Sequence, residues 1–149
     1  MNKDIYRIID ANFNRSREGL RVCEDISRFI LNSESLTRQL KGVRHAVSNI
    51  LKGLPVSRLP KGAGSIAYFR DAERDVGKSI RSRSEMKRAD CRGIFTANIE
   101  RVKESLRVLE EFFKLIDKKR AVSLSILRFK VYEIETRSIK KIMSLRNIR

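Results

Sequence analysis

The chain has no tryptophan, two prolines, two cysteines and one histidine in 149 residues, and each scarcity excludes something. Cys23 and Cys91, with His45 as the lone histidine, give neither a disulfide framework nor zinc-ligand spacing, so both thiols are expected as reduced packing residues. No Ser-His-Asp or Cys-His arrangement surrounds His45, and KGAGS at 61–65 lacks the spacing and the Lys-hydroxyl pair of a P-loop. There is no membrane-spanning apolar run, signal peptide or lipidation motif, so a cytoplasmic protein without a membrane partner is expected. Acids are scarce as well: 18 Asp and Glu face 34 Lys and Arg, a formal net charge of +16. Such a field attracts nucleic acid, nucleotides or phosphorylated metabolites alike. Aromatic residues at 7% are thin for a base-stacking surface.

What is present is an internal repeat. Residues 10–29 (DANFNRSREGLRVCEDISRF) recur 86 positions later as 96–115 (TANIERVKESLRVLEEFFKL), with Ala11, Asn12, Arg15, Glu18, Leu20, Arg21, Val22 and Glu24 identical in both copies. LKGVRHAV (40–47) aligns with LSILRFKV (124–131) at an offset of 84, which pairs Arg44 with Arg128. Helical spacing predicts one helix over 3–31, broken at Asn32 and Ser33, and a second over about 34–53 whose apolar face is Leu36, Leu40, Val43, Val47, Ile50 and Leu54. A third spans about 91–116, and a fourth, roughly 119–145, carries Leu124, Leu127, Val131 and Ile134. A short helix is expected near 83–89. No alternating strand pattern competes.

The expected fold is therefore all-α: one domain, 1–149, forming an antiparallel bundle of two duplicated helical hairpins. The halves are about 3–54 and 91–145, and a connector over 55–90 carries the short helix. Stepping by threes and fours along the first copy gives Ile5, Ile8, Asn12, Arg15, Gly19, Val22, Ile26, Phe29; the second gives Cys91, Ile94, Asn98, Arg101, Ser105, Val108, Phe112, Leu115. A guanidinium on a core-facing seam costs several kcal/mol unless it meets an anion. The expectation is a polar cavity in the bundle centre, lined by the two Asn-Arg pairs, with Gly19 leaving room for it. The alternative is ordinary helix support, Arg15 with Glu18 and Arg101 with Glu104.

The strings RIIDANFNRSREGLRVCEDISRF (7–29), LKGVRHAV (40–47), RDAERDVG (70–77), the Glu85/Arg88 pair, TANIERVKESLRVLEEFFKL (96–115) and ILRFKVYEIE (126–135) resemble the monofunctional hydroxymethylpyrimidine-phosphate kinase family of thiamin biosynthesis, a small domain often fused to thiamin-phosphate synthase. The resemblance covers nearly the whole chain; an aliphatic residue is usual where Cys23 stands. With no synthase domain in these residues, it implies a stand-alone kinase that converts 4-amino-5-hydroxymethyl-2-methylpyrimidine phosphate to the diphosphate with ATP.

The residues suit that chemistry, since a phosphate acceptor needs charge neutralisation and in-line positioning more than a general base. On this reading Arg15 and Arg101, with Glu18 and Glu104, are the catalytic candidates. Asn12, Asn98, Arg44, Arg128 and Arg74 are the phosphate- and substrate-binding candidates, and Asp75, Glu18 or Glu104 would hold Mg²⁺. Arg21 and Arg107 stand between an ion-pair ladder and a functional role. The partners are the phosphorylated pyrimidine and ATP, and homo-oligomerisation stays open. The rivals are a non-enzymatic basic helical module for nucleic acid and a phosphometabolite-binding sensor.

Overall fold

A computed structural model describes residues 3–54, 62–70, 73, 75–77 and 87–145. It is all-helical: α1 (Lys3–Asp25), α2 (Glu34–Lys52), α3 (Cys91–Phe113) and α4 (Lys118–Ser144), with no strand among the described residues. α1 continues into a π-helical turn, Ile26–Ile30, and Ile66–Phe69 form a 3-10 turn. Of the helix expected near 83–89, residues 87–89 are not helical and 83–86 lie outside the described residues. No described helix is long and apolar enough to cross a membrane.

The helix ends follow local chemistry. Asn32 takes a positive φ of 45°, the left-handed conformation that stops a helix, and the Ser33 side chain then accepts from the Leu36 N–H to start α2. Asp90 caps α3 by accepting from Gly93 N at 2.7 Å. Asp117 donates its N–H to the Phe113 carbonyl at the end of α3 and caps α4, its side chain accepting from the backbone N–H groups of Lys119 and Arg120.

Each hairpin packs its partner helix on its long helix, and the two long helices lie against each other. α1 and α3 run antiparallel, since Gly19 meets Asn98 while Cys23 donates its thiol to the Phe95 carbonyl at 3.8 Å. At the other side Arg120, at the start of α4, donates to the Ile50 carbonyl near the end of α2 at 3.0 Å. Repeat partners occupy equivalent depths: Leu20 and Leu106, Leu40 and Leu124, and Val47 and Val131 are all buried. The apolar faces expected for α2 and α4 form the core, with Ile50 and Leu127 partly buried.

The α1 seam is different. Its buried face is Tyr6, Ile9, Ser16, Leu20 and Cys23, one step around the helix from the expected stripe. Asn12, Gly19 and Ile26 are buried, but Arg15 is exposed and Phe29 is 69% exposed. The expected central cavity is also absent at this level. A Cβ on Gly19 would lie 2.8 Å from the Asn98 carbonyl oxygen and 2.8 Å from a Val102 methyl. Gly19 therefore allows two backbones to touch rather than opening a space between them.

Candidate functional site

Among the described residues, the repeat-conserved arginines sort into two groups, those paired with buried carboxylates and those without a partner. Glu24 and Glu110 are buried, and each accepts from the arginine of its partner helix: Arg44 Nε at 2.9 Å and Arg128 Nε at 3.0 Å. Arg21 and Arg107 approach the same carboxylates from the long helix, at 3.5 and 2.8 Å, and bridge on to Asp25 and Glu111. Two guanidiniums per buried carboxylate offset a desolvation penalty of several kcal/mol. The ion-pair reading of Arg21 and Arg107 thus describes their geometry, and Arg44 and Arg128 are tied into their own hairpins. Glu111 is held below the usual carboxylate range by its Lys114 hydrogen bond, helped by Arg107.

Arg15 and Arg101 are the opposite case. Both are exposed, and neither makes a hydrogen bond or ion pair among the described residues; the Arg15–Glu18 and Arg101–Glu104 pairs of the alternative reading do not form. Asn12 and Asn98 adopt the same arrangement, each donating its amide N–H to the carbonyl four residues back, Ile8 at 2.9 Å and Ile94 at 2.8 Å.

A groove of about 690 Å³ runs along α1, and it gathers Asn12, Arg15, Glu18 and Asp75 with Arg7 and Arg70. Helical spacing puts residues 4, 8, 11, 15 and 18 on one side of α1, which forms its floor. One wall is fixed by the connector. Arg70 grips the buried Asp10 carboxylate in a fork, Nε to Oδ2 at 2.7 Å and Nη2 to Oδ1 at 2.9 Å, and Phe69 stacks on Tyr6 with centroids 5.3 Å apart. The Asp10 hydrogen bonds raise the Arg70 pKa above its ordinary value, with Glu18 adding to the effect. Asp75 stands in a turn closed by the Gly77 N–H on its Oδ1 at 2.9 Å. Gly77 does not take a positive φ, which among the described glycines belongs to Gly62 alone.

Asn98, Arg101 and Glu104 do not line this groove. The site gathers first-copy residues plus the connector. Arg44 instead borders another cavity on a different flank of α1, Arg128 lies at 3.0 Å from Tyr132 Oη, and Arg74 lies outside the described residues. Among the described residues no three His, Cys, Asp or Glu side chains cluster as a protein-only metal site would need. Glu18 and Asp75 border one groove, a donor set that fits a Mg²⁺ ion carried largely by phosphates and water. The Asp10–Arg70 fork joins residues 60 positions apart, which helical spacing does not bring together. The available signal was a departure from the repeat, since Asp10 faces Thr96 in the second copy.

Comparison with known proteins follows the same span. The chain is 38% identical over 132 residues to a thiamine-phosphate synthase of Synechocystis sp., covering 89% of this chain and 35% of that protein. It is 37% identical over 131 residues to a thiamine-phosphate synthase of Rhodopirellula baltica (88% and 33%), and 36% identical over 132 residues to that of a Nostoc species (89% and 34%). The chain thus spans about a third of the length of these relatives. No solved structure matches it. The model of the ThiD2 family matches residues 7–137, and the chain belongs to that family.

Proposed function

We propose that the protein acts in thiamin biosynthesis as a kinase, transferring the γ-phosphoryl group of ATP to 4-amino-5-hydroxymethyl-2-methylpyrimidine phosphate. The observation that carries the reading is Arg15, a repeat-conserved guanidinium without a protein partner among the described residues, in a groove shared with Asn12, Glu18 and Asp75. The thiamin pathway is supported by relatives that bear the name thiamine-phosphate synthase.

In the proposed reaction an oxygen of the acceptor phosphate forms a bond to the γ-phosphorus, and the bridging oxygen leaves with ADP. That oxygen is already anionic near neutral pH, so the protein's task is to neutralise and align two anions. Arg15 supplies the fork for one phosphoryl group. The Asn12 amide oxygen remains available to orient a donor, since its N–H is committed to Ile8. Glu18 and Asp75 would hold Mg²⁺, which when bound neutralises phosphate charge. The Asp10–Arg70 fork keeps the groove wall in place.

The test is an ADP-release assay with Mg-ATP, offering the pyrimidine monophosphate and, separately, the unphosphorylated alcohol. Turnover of the monophosphate alone is the expected result. Absence of turnover with either acceptor overturns the kinase. The relatives' name favours one second reading, in which the groove holds the same pyrimidine phosphate as part of a thiamine-phosphate synthase. Its readout would be thiamine phosphate formed on adding a thiazole phosphate, whose ring nitrogen displaces the phosphate group from the pyrimidine methylene, with no release of ADP.

A further inference from the structure

The duplication provides an internal control for a second cavity, one that the groove does not use. It measures about 410 Å³ and lies between α1, α2 and the 64–66 segment. Arg17, Arg44, His45 and Lys52 line it, with Ser48 and Asn49, and no carboxylate among the described residues does. Phe13, Leu51, Leu54 and Ile66 give it an apolar side.

The second repeat shows what closes such a space. There Lys103, the counterpart of Arg17, is held by Glu100 at 2.6 Å and Glu135 at 2.7 Å and lies over the Tyr132 ring. Burial lowers its pKa, but those hydrogen bonds outweigh burial and leave it raised. Arg128, the counterpart of Arg44, donates a further N–H to Tyr132 Oη at 3.0 Å. In the first repeat each of these partners is missing: Asn14 stands for Glu100, Leu51 for Glu135 and Ser48 for Tyr132. Among the described residues Arg17 keeps only its contact with the Phe13 ring, 5.3 Å from the centroid. Arg44 keeps only the Nε bond to Glu24, so its outer N–H groups have no acceptor among the described residues.

We infer that this cavity is a binding site for a small organic phosphate, with the phosphoryl group taken by Arg17 and Arg44 and a flat ring packed on the Phe13 and Leu51 side. The Arg17 guanidinium and the outer N–H groups of Arg44, on a wall of serine and asparagine, match a phosphate by fork geometry. The size and apolar side suit a heterocycle rather than a bare ion. The inference does not rest on the kinase reading, because it concerns binding at a different flank of α1.

The experiment is calorimetric titration of the full chain with inorganic phosphate, ADP and the pyrimidine monophosphate, repeated on Arg15→Ala in the groove and on two variants of the cavity. Arg17→Ala removes an exposed side chain without ion-pair partners among the described residues and should leave the fold intact. The triple variant Arg17→Lys, Ser48→Tyr, Leu51→Glu rebuilds the second repeat's cluster in the first. We expect one organic phosphate to bind more tightly than inorganic phosphate. Arg17→Ala should weaken it by about tenfold or more, a lost charge-assisted hydrogen bond, and the triple variant should abolish it. Preference for ADP or for the pyrimidine monophosphate identifies the ligand, and either supports the site. Binding unchanged by Arg17→Ala, binding lost only with Arg15→Ala, or no binding of any probe overturns it. Binding that disappears in these variants while the wild-type chain shows no turnover leaves the site standing and removes the kinase.

Discussion

Arg44 donates its Nε–H to the buried carboxylate of Glu24 across 2.9 Å, tying α2 to the end of α1. The same bond recurs between Arg128 and Glu110 at 3.0 Å, so the duplication preserved a latch in each hairpin. Glu24→Ala leaves Arg44 largely buried with no acid in reach, and it should destabilise the fold by about 2–4 kcal/mol. Replacing both partners, Glu24→Leu with Arg44→Met, should recover most of that loss. Urea unfolding followed by circular dichroism measures both, and a fully stable Glu24→Ala protein would show that the latch carries no stability.

Gly19 offers a second check of the packing. Alanine in a helix interior is normally favoured over glycine by about 1 kcal/mol. Here the new methyl would meet the Asn98 carbonyl at 2.8 Å, and that oxygen belongs to a helix backbone that cannot turn aside. The clash should win, so Gly19→Ala should lower stability by about 1–3 kcal/mol. A raised melting temperature would mean that α1 and α3 can separate at no cost.

Cys23 titrates in the wrong direction for a reactive thiol. Burial, and then the nearby Glu135 charge, push its pKa from 9.0 up to about 12. The unfolded chain ionises near the lower value, so between about pH 9 and 12 it binds fewer protons than the folded one. Stability from this group is complete below that window and falls as pH rises through it. Alkylation by iodoacetamide at pH 8 should mark Cys91, which is only half-buried, well before Cys23. Equal labelling rates would contradict the burial.

The Asp10–Arg70 fork should matter to the groove and to the fold. Arg70 is 51% exposed, but the Asp10 side chain is only 5% exposed, so removing the guanidinium strands a buried carboxylate and should cost about 1–3 kcal/mol. Arg70→Ala also frees the segment that stacks Phe69 on Tyr6 and walls the groove. We expect faster tryptic cleavage in the connector, lower turnover and a lowered melting temperature. Wild-type turnover in this variant would remove the connector from the site.

These tests bear on what the sequence made readable. The helices of the partner hairpin arms stood out because Leu40, Val47, Leu124 and Val131 keep a clean three-four spacing on a single buried face. α1 was harder: it is packed by α3, α2 and the 3-10 turn together, so its buried arc is wide and includes Ser16, Asp10 and Glu24. A stripe drawn through Asn12 and Arg15 follows the edge of that arc, and Arg15 falls on the solvent side. Repetition marked which residues matter, but it could not tell a latch such as Glu24–Arg44 from a free guanidinium such as Arg15. The asymmetries decided that, in particular Ser48 against Tyr132 and Asp10 against Thr96.

The asymmetry also sharpens the central mutational test. A clamp drawn equally from both halves predicts that Arg15→Ala and Arg101→Ala damage turnover alike. The groove contains Arg15 with Asn12, Glu18 and Asp75, and it does not contain Arg101. Removing a guanidinium that stabilises charge in phosphoryl transfer typically costs about 10²–10³ in rate, and Arg15→Ala should show a loss of that order. Arg101→Ala should stay within about tenfold of wild type, equivalent to about 1.4 kcal/mol. Both side chains are exposed and unpaired among the described residues, so neither change should alter the helical spectrum or the melting temperature. Steady-state kinetics on the two variants separate the cases. Equal, large losses would restore the two-sided clamp, and near-normal turnover in Arg15→Ala would move the chemistry out of this groove.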